Sequence, residues 1–97
     1  MITKTSRAVL FTKEDCLPCT MTKNSLEKIR ERFPSYGNAI HILKQEYHPS
    51  LVGAYKVDKF PTLVIVDQFG EEEGKIVGGE TIREHLLGIL FTLSSIS

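Results

Sequence analysis

The chain has little cysteine, no net charge and no long apolar run. Its 97 residues include two cysteines and no tryptophan, and Lys plus Arg balance Asp plus Glu at 12 each. A membrane-spanning helix needs about 20 consecutive apolar residues, and no stretch approaches that length. Residues 1–12 also lack the apolar core and small-residue cleavage site of a signal peptide. We therefore expect a cytoplasmic protein with no membrane association, in a compartment that keeps thiols reduced.

The balanced charge argues against two classes of partner. Without a net positive field, neither nucleic acid nor an anionic lipid surface is drawn to the protein by charge alone, so we expect neither. What is present is 41% hydrophobic and 25% charged residues, which is typical of one compact globular domain over residues 1–97.

The first half of the chain alternates strand and helix signals. The run RAVLFT, residues 7–12, is short and apolar and predicts a buried strand. The run AIHILK, residues 39–44, predicts a second strand that is mostly buried on both faces. Between them, side chains recur at the spacing of one helical face, which predicts a helix that ends near Pro34. These side chains are Cys19, Thr22, Leu26, Ile29 and Phe33.

The second half predicts a short helix, a hairpin and a last helix. Pro49 suits the first turn of a helix through Tyr55, and TLVIV, residues 62–66, is followed by a turn and a return strand around residues 74–77. Thr81 and Glu84 form a T-x-x-E capping box that predicts the start of the last helix. The order β-α-β-α-β-β-α predicts an α/β fold with a four-stranded mixed sheet and helices on both faces. The last helix has an apolar stripe of Ile82, Leu86, Ile89, Leu90 and Leu93.

The only two cysteines stand in EDCLPCTM, residues 14–21, directly after the first predicted strand. Cys16 and Cys19 are neighbours on a helix, so their sulfurs can reach bonding distance. We expect unpaired N–H groups and the helix dipole at the helix start to stabilise a Cys16 thiolate. Cys19 lies on the buried stripe. The pattern predicts that Cys16 is the attacking nucleophile and Cys19 the resolving thiol.

Three other interpretations of the cysteine pair remain open at this point. A structural zinc site needs four ligands, and His41, His48 and His85 are scattered over a strand, a loop and a helix, so we expect no metal. A permanent structural disulfide would close a loop too short to stabilise the fold much, in a reducing compartment. The two thiols could also be unrelated. Their place at a strand–helix junction favours a redox pair.

Three separated segments resemble the thioredoxin/glutaredoxin superfamily. The first is F-T-K-E-D-C-L-P-C, residues 11–19, in which Lys13 is similar to glutaredoxins and Pro18 to thioredoxins. The second is K-F-P-T-L-V-I-V, residues 59–66, which resembles the segment where a cis proline opens the third strand. The third is V-G-G-E-T, residues 77–81, which resembles the glycine turn after the return strand. The chain is thus similar to a small glutaredoxin-like thioredoxin with a C-L-P-C active site.

The resemblance implies a thioredoxin-like fold and a thiol–disulfide oxidoreductase that reduces disulfide-containing proteins through Cys16 and Cys19. It implies a cis Phe60–Pro61 bond that leaves the Phe60 backbone free to pair with a substrate chain. We expect a monomer with no bound cofactor, which receives electrons from a thioredoxin reductase with NADPH or from glutathione. The implied substrate-binding residues are Lys13, Leu17, Pro18, Phe60, Pro61, Gly78 and Gly79.

The chain departs from both patterns. Leu10 stands where thioredoxins have a buried acid and Asp15 where they have Trp, so the buried proton acceptor for Cys19 is missing. C-L-P-C and K-F-P replace the C-P-Y-C and T-V-P of glutathione-dependent glutaredoxins, which argues against strong glutathione binding. Residues 16–23 resemble small glutaredoxin-like proteins that donate electrons to ribonucleotide reductase. The alternatives are a glutathione-dependent glutaredoxin and a redox-inactive thioredoxin-fold binding or assembly subunit.

Overall fold

Strands and helices follow one another in the predicted order. The computed structural model describes residues 6–95, apart from the side chains of residues 36–38, 94 and 95. Residues 1–5, on which part of the signal-peptide argument rests, lie outside the described residues. The elements are β1 (Arg7–Thr12), α1 (Leu17–Arg32), a 3₁₀ helix (Pro34–Ala39), β2 (Ile40–Lys44), a 3₁₀ turn (Gln45–Tyr47), α2 (Pro49–Ala54), β3 (Thr62–Val66), β4 (Glu72–Val77) and α3 (Gly79–Ser95).

The four strands form one mixed sheet in the order β2-β1-β3-β4. β1 pairs in parallel with β2 and antiparallel with β3, and β3 pairs antiparallel with β4. The turn between β3 and β4 is closed by Asp67, whose Oδ1 accepts the N–H groups of Phe69 at 2.8 Å and Glu71 at 3.0 Å. The predicted four-stranded mixed sheet is confirmed.

Hydrophobic cores lie on both faces of the sheet because side chains alternate along the strands. Leu10 of β1 packs on one face with Leu26 of α1 and with the buried stripe of α3. Phe11 faces the opposite side, where it packs with Val57 and Val64 and where α2 contributes the half-buried Val52. Helices therefore cover both faces, as predicted.

Two expectations about burial are wrong. Strand β2 has only β1 as a neighbour in the described part of the chain, so it is an edge strand. Its Ile40 is buried, its His41 is exposed and the others are half-buried, where both faces were expected to be mostly covered. Phe33 follows the last residue of α1 and leaves the helical stripe, with 39% of its surface exposed.

Helix α3 begins two residues before the predicted capping box. Gly78 has a φ of 98°, in the left-handed region that favours glycine, and its carbonyl accepts the Ile82 N–H at 3.0 Å. The chain thus turns from β4 directly into the helix, and Thr81 lies exposed inside the first turn instead of at its start. The predicted apolar stripe is confirmed: Ile82, Leu86, Leu90 and Leu93 are buried, and Ile89 is partly buried.

Replacement of Leu63 by alanine tests whether the core between the sheet and helices α1 and α3 stabilises the fold. Leu63 lies in β3 with 0% exposure, so Leu63→Ala leaves a cavity. We expect the free energy of unfolding in urea to fall by about 2–5 kcal/mol. Leu87→Ala is the matched control, because Leu87 of α3 is 49% exposed and should change stability by no more than about 0.5 kcal/mol. Equal losses in the two variants would contradict this assignment of the core.

Candidate redox site

The two cysteines are joined at the start of α1. Cys16 is the N-cap residue, and its Sγ is bonded to Cys19 Sγ at 2.18 Å. The Cys19 backbone N–H points at Cys16 Sγ across 3.2 Å. This is the contact that a Ser or Asp N-cap makes to the same helix position. The N–H group and the positive end of the helix dipole bind a negatively charged acceptor more strongly than a neutral one. The start of α1 therefore stabilises a Cys16 thiolate.

The two sulfurs differ in their surroundings. Cys16 is 9% exposed and adjoins Leu17, which is 70% exposed. Cys19 is 1% exposed and is the first of the inward-facing residues of α1, before Thr22 and Leu26. This difference favours Cys16 as the sulfur that a substrate reaches and Cys19 as the inner partner.

The Phe60–Pro61 segment lies against the disulfide. Its peptide bond is cis, and the Phe60 carbonyl oxygen lies 3.9 Å from Cys16 Sγ. The Gly78 N–H donates to the Pro61 carbonyl at 3.0 Å, which joins the glycine turn to the same place. The Lys13 ammonium lies 5.8 Å from the centre of the Phe60 ring. The three segments that the sequence singled out therefore meet around one disulfide.

Gly79 packs the first turn of α3 onto the first turn of α1. A Cβ at Gly79 would lie 3.1 Å from Thr22 Oγ1 and 3.2 Å from Pro18 Cβ. The Thr22 hydroxyl donates to the Pro18 carbonyl at 2.8 Å, and Arg83 Nη1 lies 3.4 Å from that hydroxyl. Sequence analysis missed Thr22 and Arg83 as neighbours of the motif, because helical spacing alone does not show which two helices meet.

A polar contact outside the predicted site holds the loop before Cys16. Glu14 forms an ion pair with Lys44 of β2, which raises the pKa of Lys44. Glu46 accepts the Glu14 backbone N–H at 2.9 Å, and this hydrogen bond lowers the pKa of Glu46. The Glu46 contact therefore stabilises the fold above the ordinary titration range of a carboxylate and is lost as the pH falls through the lowered pKa. Next in the loop, Asp15 has a φ of 51°, which a short polar side chain tolerates.

Other candidate residues are not brought together. Within residues 6–95, no three His, Cys, Asp or Glu side chains form a group that could hold a metal ion. In the same part of the chain, no helix is long and apolar enough to cross a bilayer.

Comparison with known proteins gives a match in structure only. No protein-family model and no curated protein sequence matches the chain. The thioredoxin of Malassezia sympodialis superposes over 96% of this chain and 78% of its own, with 20% identity and a TM-score of 0.73. The chain has a thioredoxin-like fold. Deadhead, a germline-specific thioredoxin of Drosophila melanogaster, aligns over 93% of this chain and 82% of its own, with 20% identity and a TM-score of 0.71. The oxidised mitochondrial thioredoxin 3 of Saccharomyces cerevisiae aligns over 92% and 79%, with 23% identity and a TM-score of 0.67.

The packing of α3 against α1 leaves no room for a side chain at Gly79. We expect Gly79→Ala to lower the free energy of unfolding by about 1–3 kcal/mol, because the added methyl group meets the rigid Pro18 ring and the hydrogen-bonded Thr22 hydroxyl. Gly88→Ala is the matched control: it lies in the same helix with nothing within 4 Å of an added Cβ. It should raise stability by up to about 1 kcal/mol. Urea unfolding of both oxidised variants checks this, and equal stability would rule out the close packing.

Proposed function

We propose that the protein is a thiol–disulfide oxidoreductase that reduces disulfide bonds in other proteins. The observation that carries the proposal is the Cys16–Cys19 bond at the start of α1, with the Phe60 carbonyl 3.9 Å from Cys16 Sγ. A structural disulfide has no need of a helix N-terminus at one sulfur or of an exposed residue such as Leu17 beside it. The helix N-terminus stabilises an attacking thiolate, and the exposed Leu17 offers a contact surface for a substrate.

The reaction follows from the two positions. The Cys16 thiolate attacks one sulfur of a substrate disulfide, a mixed disulfide forms, and the other substrate sulfur leaves as a thiolate and takes up a proton. Cys19 then loses its proton and attacks Cys16 Sγ, which releases the second substrate thiol. Two electrons have passed to the substrate, and the protein is left with the Cys16–Cys19 disulfide. A reductant must then restore the dithiol, and no bound cofactor is required.

Substrate binding is proposed on the surface around Cys16. The half-buried Phe60 offers backbone groups with which an extended substrate chain can pair, next to Lys13. Leu17 offers an exposed apolar contact. Of the remaining proposed contacts, Pro18 is exposed and Gly78 is half-buried, whereas Pro61 and Gly79 are buried.

Several details of the proposal come from sequence alone. We propose a monomer in the cytoplasm whose partners are a disulfide-containing protein and a reductase or glutathione. Electron donation to a ribonucleotide reductase is a narrower form of the same proposal. The glutathione-dependent glutaredoxin and the redox-inactive assembly subunit are the alternatives that the following experiments separate.

Serine variants test the roles of the cysteines. Cys16→Ser should reduce a protein disulfide such as that of insulin, with dithiothreitol as electron source, only at the rate without protein, because the attacking sulfur is gone. Cys19→Ser should also fail to turn over and should accumulate a mixed disulfide at Cys16, which intact mass and peptide mapping detect. Thr20→Ser, one position from Cys19, is the control and should keep full activity. Adduct formation at Cys19 in the Cys16→Ser variant would reverse the assigned roles.

The same variants distinguish the alternatives. A double Cys16→Ser, Cys19→Ser variant that keeps its partner's function would favour an assembly subunit. Turnover of a glutathionylated substrate that survives Cys19→Ser would favour a glutathione-dependent glutaredoxin, because that reaction needs only one cysteine.

The electron source is tested by presenting the oxidised protein to two reducing systems. One is thioredoxin reductase with NADPH, and the other is glutathione with glutathione reductase and NADPH. We expect faster NADPH consumption with thioredoxin reductase, because C-L-P-C and K-F-P depart from the glutathione-binding pattern. Faster reduction by glutathione would contradict this expectation while leaving the oxidoreductase proposal in place.

A further inference from the structure

One buried polar group beside the site has no partner. The Thr12 side chain is 0% exposed, and its hydroxyl makes no hydrogen bond within the described residues. The other fully or nearly fully buried threonines are paired: Thr22 donates to the Pro18 carbonyl at 2.8 Å and Thr62 to the Lys59 carbonyl at 2.7 Å. A buried hydroxyl without a partner opposes folding. An unpaired buried hydroxyl therefore needs an explanation, such as a hydrogen bond that forms only when the disulfide is reduced.

Thr12 lies at the end of β1, on the face that α1 covers. Side chains alternate along a strand, so Thr12 shares a face with Leu10, which packs against Leu26 of α1. Phe11 faces the other core and pairs with Thr62 of β3. Continued by one residue, that register places Thr12 beside Pro61. Ala8, Leu10 and Thr12 are the side chains of β1 that face α1. Thr12 is the last of the three along the strand, and it is the polar member.

Cys19 lies at the same end of the interface between β1 and α1. β1 runs toward the cysteine motif, and α1 runs back from it across the sheet. Cys19 is the first buried side chain of α1, with 1% exposure, and Leu26 follows two turns later in contact with Leu10. The order of residues along both elements therefore places Thr12 and Cys19 at the same end of the interface between β1 and α1.

We propose that Thr12 is a positioning residue whose hydroxyl hydrogen-bonds the Cys19 sulfur in the dithiol form and loses that bond in the disulfide. In the disulfide, Cys19 Sγ has no proton to donate and is held by Cys16 Sγ. After reduction, a Cys19 thiol can donate to the Thr12 oxygen, and a thiolate can accept from its hydroxyl. This proposal rests on the proposed function only in requiring that the pair cycles between the two forms.

A hydrogen bond made in one form alone shifts the redox equilibrium. With glutathione as reductant, two glutathione thiols become one glutathione disulfide, the Cys16–Cys19 bond breaks, and each protein sulfur takes up a proton. A bond from Thr12 to Cys19 stabilises the product side of this reaction. Its removal should therefore favour the protein disulfide.

The experiment measures that equilibrium in glutathione buffers at fixed pH, with thiols counted by alkylation and intact mass. Thr12→Val removes the hydroxyl and keeps the shape, and we expect the equilibrium constant to move about five- to tenfold toward the disulfide; tenfold equals about 30 mV. Thr12→Ser keeps the hydroxyl and should restore the wild-type constant. Thr22→Val is the matched control, because it removes a buried hydroxyl whose carbonyl partner is present in the disulfide form, and it should change the constant less than twofold.

Two further readouts separate this role from simple packing. Thr12→Val should leave the oxidised protein as stable as wild type or more stable, and should destabilise the reduced protein. In a Cys16→Ser background, where Cys19 is the only thiol, the infrared S–H stretch of Cys19 should shift when Thr12 becomes Val, or Ala if the valine variant does not fold. An unchanged equilibrium constant with equal loss of stability in both forms would overturn the proposal, as would an unchanged S–H stretch. Neither measurement uses a protein substrate, so absence of disulfide-reductase activity in the wild type would count against the proposed function alone.

Discussion

The pairing of β1 with β3 is the constraint on which the site depends. Phe11 lies opposite Thr62 in this ladder, so the chain leaves β1 toward Cys16 at the point where it enters β3 from Pro61. The antiparallel direction places both segments at the same end of the sheet. A shift of one residue would turn the side chains of β1 to the opposite faces, exchanging Leu10 and Phe11 between two cores that differ in shape. Burial on both faces therefore fixes the register, and the register brings Cys16 and the Phe60 carbonyl together.

Electrostatics at the site come mainly from backbone groups. The Cys19 N–H at Cys16 Sγ is provided by the helix itself, so it is present whatever charges surround the loop. Glu14, which would oppose a thiolate, is paired with Lys44. Leu10, with 0% exposure, leaves no carboxylate on the helix-facing side of β1 near Cys19. The electrostatic environment of Cys16 Sγ is therefore set mainly by the start of α1.

Sequence predicted the parts of this arrangement that local patterns determine. The apolar runs at residues 7–12 and 62–66 form strands with the predicted bounds. A strand that is apolar at consecutive positions is stable only where both of its faces are buried. The run at residues 39–44 looked similar, but burial of β2 depends on its place in the sheet, which its own residues do not encode. The predicted start of α3 at Thr81 was wrong because the left-handed backbone conformation of Gly78 starts the helix at Gly79. A sequence pattern shows such a conformation only weakly. Glu46 and Arg83 were missed as site neighbours because each makes its contact with a residue that is distant in sequence.

The β3–β4 hairpin has a consequence for how the molecule behaves in a crowded solution. Within residues 6–95, β4 has a neighbouring strand on one side only, so its other side presents unpaired backbone groups. If such an edge were flat and apolar, strands of other molecules could pair with it. Here β4 starts with Glu72 and Glu73, a register irregularity at Ile65 and Val66 interrupts its ladder, and Lys75 reaches across to the Tyr55 carbonyl at 2.6 Å. These features of β4 help to keep the sheet from growing by addition of further chains.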